Sequence, residues 1–173
     1  MINNNFKKIL KYLFTYTNTD INNLKLVGLN GTEIHEENNK YYILQYLNTS
    51  LNTIINSNGI SSEALGGVCM GFGAGSKQVS LEDYNLETII NNLSYQSSSV
   101  ETTEEGYTVI TSAKNNTSTD IIVSEVGIFC RAQSRDSGID YASHPFMLTR
   151  NVLETPITIN PNEIKTFTIA INF

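Results

Sequence analysis

The feature that most constrains this chain is a change in the spacing of its apolar residues near Gly66. Before that point they recur every three or four positions, as on one face of a helix, and after it they alternate every second position, as on one face of a strand. The clearest alternation is at the C-terminus, where Phe167, Ile169, Ile171 and Phe173 interleave with Thr168, Ala170 and Asn172. A half-buried strand has this pattern. Tyr107, Val109 and Thr111 alternate with Thr108, Ile110 and Ser112 behind the turn signal Glu104-Glu105-Gly106, and 93–100 and 146–152 are further strand candidates. Residues 120–130 are apolar at both parities, which predicts a central strand covered on both sides. Pro156 and Pro161 predict turns before the last strand, and the polar run RAQSRDSGIDYASH, Arg131 to His144, predicts a long exposed loop.

Ahead of the switch, Phe6, Ile9, Leu10, Leu13 and Phe14 share one helical face, with Asn3 to Asn5 offering a cap. A second helix is expected over Lys40 to Ser57, closed by Asn58-Gly59, and between the two Leu24 to Leu29 reads as a strand ended by the turn dipeptide Asn30-Gly31. The fold class that follows is mainly β with N-terminal helices (α+β), an antiparallel β-sandwich or partly open barrel. Its organisation would be a helical region over 1–60 packed on or extending from a β domain over 66–173, one folding unit in all. The apolar stripe of Phe6, Leu10 and Leu13 can serve either that domain or a neighbour.

Composition narrows the function. Charged residues are 16% of the chain, against about 25% in an average domain, and amides and hydroxyls take their place. Such a surface loses less on burial than a charged one does. The net charge is −6 and the one basic cluster is Lys7, Lys8 and Lys11, too little to neutralise a run of phosphates, so direct nucleic-acid binding is not expected. Lys11 interrupts the apolar run behind Lys7 and Lys8 and no small-residue cleavage site follows, unlike a signal peptide, and no segment approaches the roughly 20 apolar residues of a membrane span. Cys69 and Cys130 lie singly in apolar stretches and read as free buried thiols, in keeping with synthesis in a reducing cytoplasm.

No motif calls for a cofactor, a metal or catalysis. In Gly71-Phe72-Gly73-Ala74-Gly75-Ser76-Lys77 the residue before the lysine is Ser and the residue after it Gln, so the phosphate-loop pattern fails, and the third glycine comes one position early for a dinucleotide fingerprint. The remaining reading is a strand over Gly67 to Met70 running into a flexible glycine turn. His35 and His144 have no ligand spacing, and Ser137, Asp140 and His144 lie in one polar run with no nucleophile elbow. The pairs Glu36-Glu37, Glu82-Asp83 and Glu104-Glu105 read as solvated turns. Glu125 differs because it stands in the middle of the apolar string SEVGIF. It is either a covered carboxylate that needs a partner, with Arg131 and Arg150 the candidates, or a residue on the open face of an edge.

Taken in order, GFGAGS at 71–76, LEDYNLE at 81–87, SEVGIF at 124–129, FMLTRNVL at 146–153 and the closing PITINPNEIKTFTIAINF at 156–173 resemble a pattern in structural proteins of tailed bacteriophages. The Asn-rich composition is similar to that of phages of AT-rich gut bacteria, including the crAss-like group. The resemblance implies a non-enzymatic virion component, made in the bacterial host cytoplasm, from the neck, tail, baseplate or fibre-attachment region. Its partners would be copies of itself and other virion proteins, and no catalytic residue is carried over. A ring or collar of the neck or tail is the leading expectation; a head fibre, capsid decoration or fibre-anchoring protein is the alternative within that class. Outside it stand a carbohydrate-binding module for host attachment, with Tyr95, Tyr107 and Tyr141 stacking on sugars, and a hydrolase using Glu125 or Asp140.

Overall fold

A computed structural model of the chain describes residues 3–8, 26–33, 69–104, 106–135 and 141–172. Cys69, Ser98, Val100, Thr102, Thr103 and residues 130–135 and 141–145 are described by backbone alone. The second helix expected over 40–57, Leu10 and Leu13 of the first, and His35, Ser137 and Asp140 lie outside the described residues. So do the side chains of Cys69, Cys130, Arg131, Tyr141 and His144.

Six strands follow one another: β1 Cys69–Gly73, β2 Leu93–Thr103, β3 Gly106–Asn115, β4 Ile121–Arg135, β5 Tyr141–Ile159 and β6 Ile164–Asn172. They form two antiparallel three-stranded sheets, ordered β1-β4-β5 and β2-β3-β6. The sheets pack against each other as a sandwich whose core draws Met70, Phe72, Val123, Val126, Ile128, Phe146, Leu148 and Ile159 from the first and Leu93, Val109, Ala113, Phe167, Ile169 and Ile171 from the second. At its centre the Phe72 ring lies 4.6 Å from that of Phe167 and 5.7 Å from that of Tyr95. The alternation read from β6 is observed, with Phe167, Ile169 and Ile171 inward and Thr166, Thr168, Ala170 and Asn172 exposed.

β4 is the central strand of its sheet, as its double-sided apolar pattern predicts. Its second face carries Gly127 and Phe129, and Phe129 clusters there with Leu86, Met147 and the half-buried Leu29. The irregular segment 74–92 covers that face around Gly127 and Phe129 through Leu86, so the first sheet is enclosed on both sides there, whereas Ile122, Glu154 and Thr155 further along are exposed.

Three sequence expectations are corrected. Gly71-Phe72-Gly73 belongs to β1 rather than to a flexible turn, and the positive φ that reading invoked is absent there: among the described glycines only Gly31 (78°) and Gly106 (148°) show it. Small residues are needed at 71 and 73 because β1 lies in register with Gly127 and Glu125 of β4. A Cβ on Gly71 would come within 2.5 Å of the Phe129 ring, and one on Gly73 would strike the Glu125 carboxylate. The run from Arg131 is not one long loop: β4 continues to Arg135 and pairs with β5 from Arg135↔Tyr141 back to Arg131↔Pro145. Pro156 marks no turn either. It lies within β5, at the sheet's edge, where four residues, 153–156, bulge opposite Ser124 and no ladder N–H is required of proline.

The other turns follow local chemistry. The Glu104-Glu105-Gly106 signal joins β2 to β3, with Thr103 opposite Gly106. Pro161 does turn the chain, in the reversal from Asn160 to Glu163, where Asn162 takes φ 64° and Asn160 N–H is bonded to the Glu163 carboxylate. Asn115, fully buried, holds this end together: its amide donates to Thr119 O and Ile159 O, and its Oδ1 accepts from Thr117.

Of the N-terminal part, residues 4–8 form a short helix capped by Asn3, whose Oδ1 accepts from Phe6 N–H. This stretch is tied to the β region. A bulge in β5 leaves Leu148 without a partner on β4, and Leu148 O accepts from Asn3 N–H. Asn5 pairs its side-chain amide with both backbone groups of Val27, in the manner of a neighbouring strand. Phe6 packs against the sandwich core, so the part of the helical stripe that is described serves its own chain. Where a strand is expected at 24–29, the described part holds an isolated bridge, Val27↔Glu33, around the Asn30-Gly31 turn.

Candidate functional site

The most concentrated polar chemistry in the described chain lies on the outer face of the first sheet. Glu125 has no exposed surface there and Arg150 is 1% exposed. Arg150 Nε donates to Glu125 Oε2 at 2.6 Å and Nη1 donates to Asp83 Oδ2 at 2.9 Å, while Nη2 stands 3.7 Å from Glu87 Oε2. Three carboxylates therefore surround one guanidinium, a formal charge of −2 (three negative, one positive).

Backbone donors offset that excess. Glu125 accepts from the N–H groups of Gly75, Glu87 and Thr88, Glu87 from those of Ser76 and Lys77, and Asp83 from that of Ser80. Glycine at 75 is part of this arrangement, since a Cβ there would lie 2.5 Å from both the Glu125 carboxylate and the Glu87 side chain. Asn3 closes the far side by donating from Nδ2 to Asp83 O and Met147 O. Segment 74–92 is thereby fastened over β1, β4 and β5, and it also covers the edge of β1 through Ala74 N–H to Thr88 O and Ile90 N–H to Phe72 O.

The electrostatics follow from these contacts. Burial works against the charge on Arg150, but the hydrogen bonds and charges of Glu125 and Asp83 outweigh it and raise its pKa above the ordinary arginine value. The Glu87 carboxyl is lowered from its ordinary 4.5, chiefly by the Lys77 N–H; partial desolvation opposes this, while the Ser76 N–H and the Arg150 and Lys77 charges add to it. Arg150 and Glu87 are thus held in their charged forms at neutral pH.

Of the sequence candidates, Glu125 is covered, not on an open edge, and Arg150 is its partner. Arg131 lies six residues further along β4, about 20 Å away at the usual rise of a strand, opposite Pro145. Phe6 is half-buried against the sandwich core and makes none of these polar contacts. Asp83 and Glu87 are the residues sequence reasoning misses. Both stand in LEDYNLE, and Glu82-Asp83 reads as a solvated turn until the fold turns Asp83 onto Arg150, leaving its side chain 12% exposed. Tyr95, a sugar-stacking candidate, is half-buried and its ring lies 5.7 Å from that of Phe72.

As chemistry, the arrangement is a filled polar staple. Among the described residues no group of three or more His, Cys, Asp or Glu could hold a metal ion, and the guanidinium occupies the middle of the one acidic cluster described above. No described helix is long and apolar enough to cross a membrane.

Fold and site together define a two-sheet β-sandwich whose outer loop is locked down by a buried ion cluster. Comparison with models of known protein families, with curated protein sequences and with solved structures returned no match.

Proposed function

We propose that this chain is a non-enzymatic structural component of a tailed-phage particle, assembling with copies of itself and with neighbouring virion proteins as a ring or collar of the neck or tail. One observation carries the reading. Four of the five segments of the phage-like pattern, GFGAGS, LEDYNLE, SEVGIF and FMLTRNVL, meet at a single point: Gly73 and Gly75, Asp83 and Glu87, Glu125, and Arg150. Segments spread over some eighty residues are thereby fastened to one another. The carboxylate most like a catalytic one, Glu125, is saturated by Arg150 and three backbone N–H groups and is closed to solvent.

A rigid sandwich with few surface charges suits a subunit that must be soluble alone and then bury several faces. A standard interface covers about 1,600 Å² in total, and repetition around a ring makes weak contacts collectively strong. Mass spectrometry and electron microscopy of purified particles test the reading: the chain is expected in mature particles at about a dozen copies, the count a closed ring implies. Hundreds of copies would transfer it to capsid decoration, and absence from mature particles would contradict the proposal.

A further inference from the structure

The sandwich has four sheet edges, and the chain treats one of them differently. Exposed edges are templates for pairing with another chain, and proteins blunt them with short strands, proline, bulges, charges or a covering segment. β1 is five residues long and covered by 88–90 through the bridge Gly73↔Ile89 and its flanking hydrogen bonds. β5 carries Pro145 and Pro156, two bulges, and the N-terminal segment bonded to Leu148 O. β2 has a bulge between Tyr95 and Ser97 and the exposed Glu101.

Among the described residues β6 has none of these devices but one lysine, Lys165, which is ion-paired with Glu163 at 2.6 Å. It runs nine residues, Ile164–Asn172, without proline and in unbroken register with β3, and among the described residues it pairs with β3 alone.

We propose that β6 is a dimerisation edge, pairing antiparallel with β6 of a second copy about a two-fold axis at Thr168, so that two three-stranded sheets become one of six strands. Side-chain parity selects this partner. With Thr168 opposite itself, Phe167 of each copy faces Ile169 of the other on the core side, and Thr166 faces Ala170 on the open side, so each copy's apolar row continues into the other's. A slip by one residue would set Phe167 against Thr168 and break both rows.

Charge favours the same direction, although Glu163 offsets each Lys165. Antiparallel pairing places the two Lys165 ammonium groups at opposite ends of the ladder, about 20 Å apart at the usual strand rise, whereas parallel pairing would set them side by side. Two-fold pairing also fixes an even copy number. Such an edge is a surface through which copies in the proposed assembly would meet, yet its pairing depends on the strand alone. Dimerisation is read from the purified chain in solution, whereas membership of a particle is read from particles, so either can fail without the other.

The test is sedimentation velocity of the full chain over a concentration series, beside Thr168→Lys. Position 168 is exposed, so the substitution spares the core and sets like charges against each other across the axis. The native chain is expected to sediment as a dimer, and T168K to weaken dimerisation at least about tenfold with circular dichroism unchanged and with the melting temperature unchanged at concentrations where both chains are monomeric. Thr168→Cys supplies an independent readout, an intermolecular disulfide in the oxidised dimer that the native chain does not form. A native chain that stays monomeric throughout, one that gains mass only with a different polypeptide, or a dimer that T168K leaves intact would each overturn the proposal.

Discussion

The two sheets solve the same packing problem with opposite means. The second, β2-β3-β6, is amphipathic, with mostly apolar residues inward and mostly Ser, Thr and Ala outward beside Ile110 and Lys114, and its described outer face carries a hydroxyl pair, Ser112 with Thr166, at 2.7 Å. The first, β1-β4-β5, is buried on both faces where segment 74–92 lies over it, and its outer face there is built from glycine, one ion cluster and a few apolar residues. An amphipathic sheet needs water on one side and tolerates change there. A sheet covered by an irregular segment must satisfy that segment's backbone groups, and carboxylates do so here. Sensitivity to substitution should therefore concentrate on the first sheet's outer face and be slight on the second's.

The most severe challenge to that contrast is Arg150→Met. It leaves Glu125 buried without its partner, which costs about 3–5 kcal/mol in comparable sites, a large part of the roughly 5–15 kcal/mol that holds a domain folded. Urea unfolding should show a loss of that size or failure to fold. Next, Gly73→Ala forces a methyl against Glu125 and Thr88 O; overpacking of this kind costs about 1–3 kcal/mol, readable as a lowered unfolding midpoint.

Acid should separate the two sheets more gently. Glu87 has a depressed folded-state pKa, so its contribution is complete above about its ordinary 4.5 and is lost as the pH falls through the lower folded value. Arg150, raised, stays charged throughout that window. The protection factors of the Ser76 and Lys77 amides, which bind Glu87, should therefore fall on acidification before those of β3 do. The smallest effect is expected on the second sheet, where Ser112→Ala removes one exposed hydroxyl pair and should change stability by less than about 0.5 kcal/mol.

How much of this can be read from sequence differs between the same two regions. β6 and β3 are legible because water on one face imposes an alternating pattern. β4 is legible as a central strand, and Glu125 as a residue in need of a partner, because a carboxylate within an apolar run must either meet a counter-charge or reach an edge. Arg150 stands among two candidates for the same reason. The partners in the loop are not legible: whether Asp83 faces water or Arg150 is decided by how an irregular segment lies on a sheet, and no local period encodes that. The glycines at 71 and 73 mislead because they mark a close approach rather than a turn, and the β4–β5 extension beyond Arg131 lacks the apolar rhythm that would announce a ribbon. Asn3 and Asn5 are visible as a helix cap, but not as the link to β5 and Val27.

If the buried Glu125–Arg150 pair is the fastening point of four segments of the chain, the two residues must depend on each other energetically. A double-mutant cycle measures that dependence, with unfolding free energies for the native chain, Glu125→Gln, Arg150→Met and the two combined. The prediction is strong coupling, with the double variant losing far less than the sum of the singles, by about 1–3 kcal/mol or more. Additive losses would mean that the two residues act separately, and would contradict it.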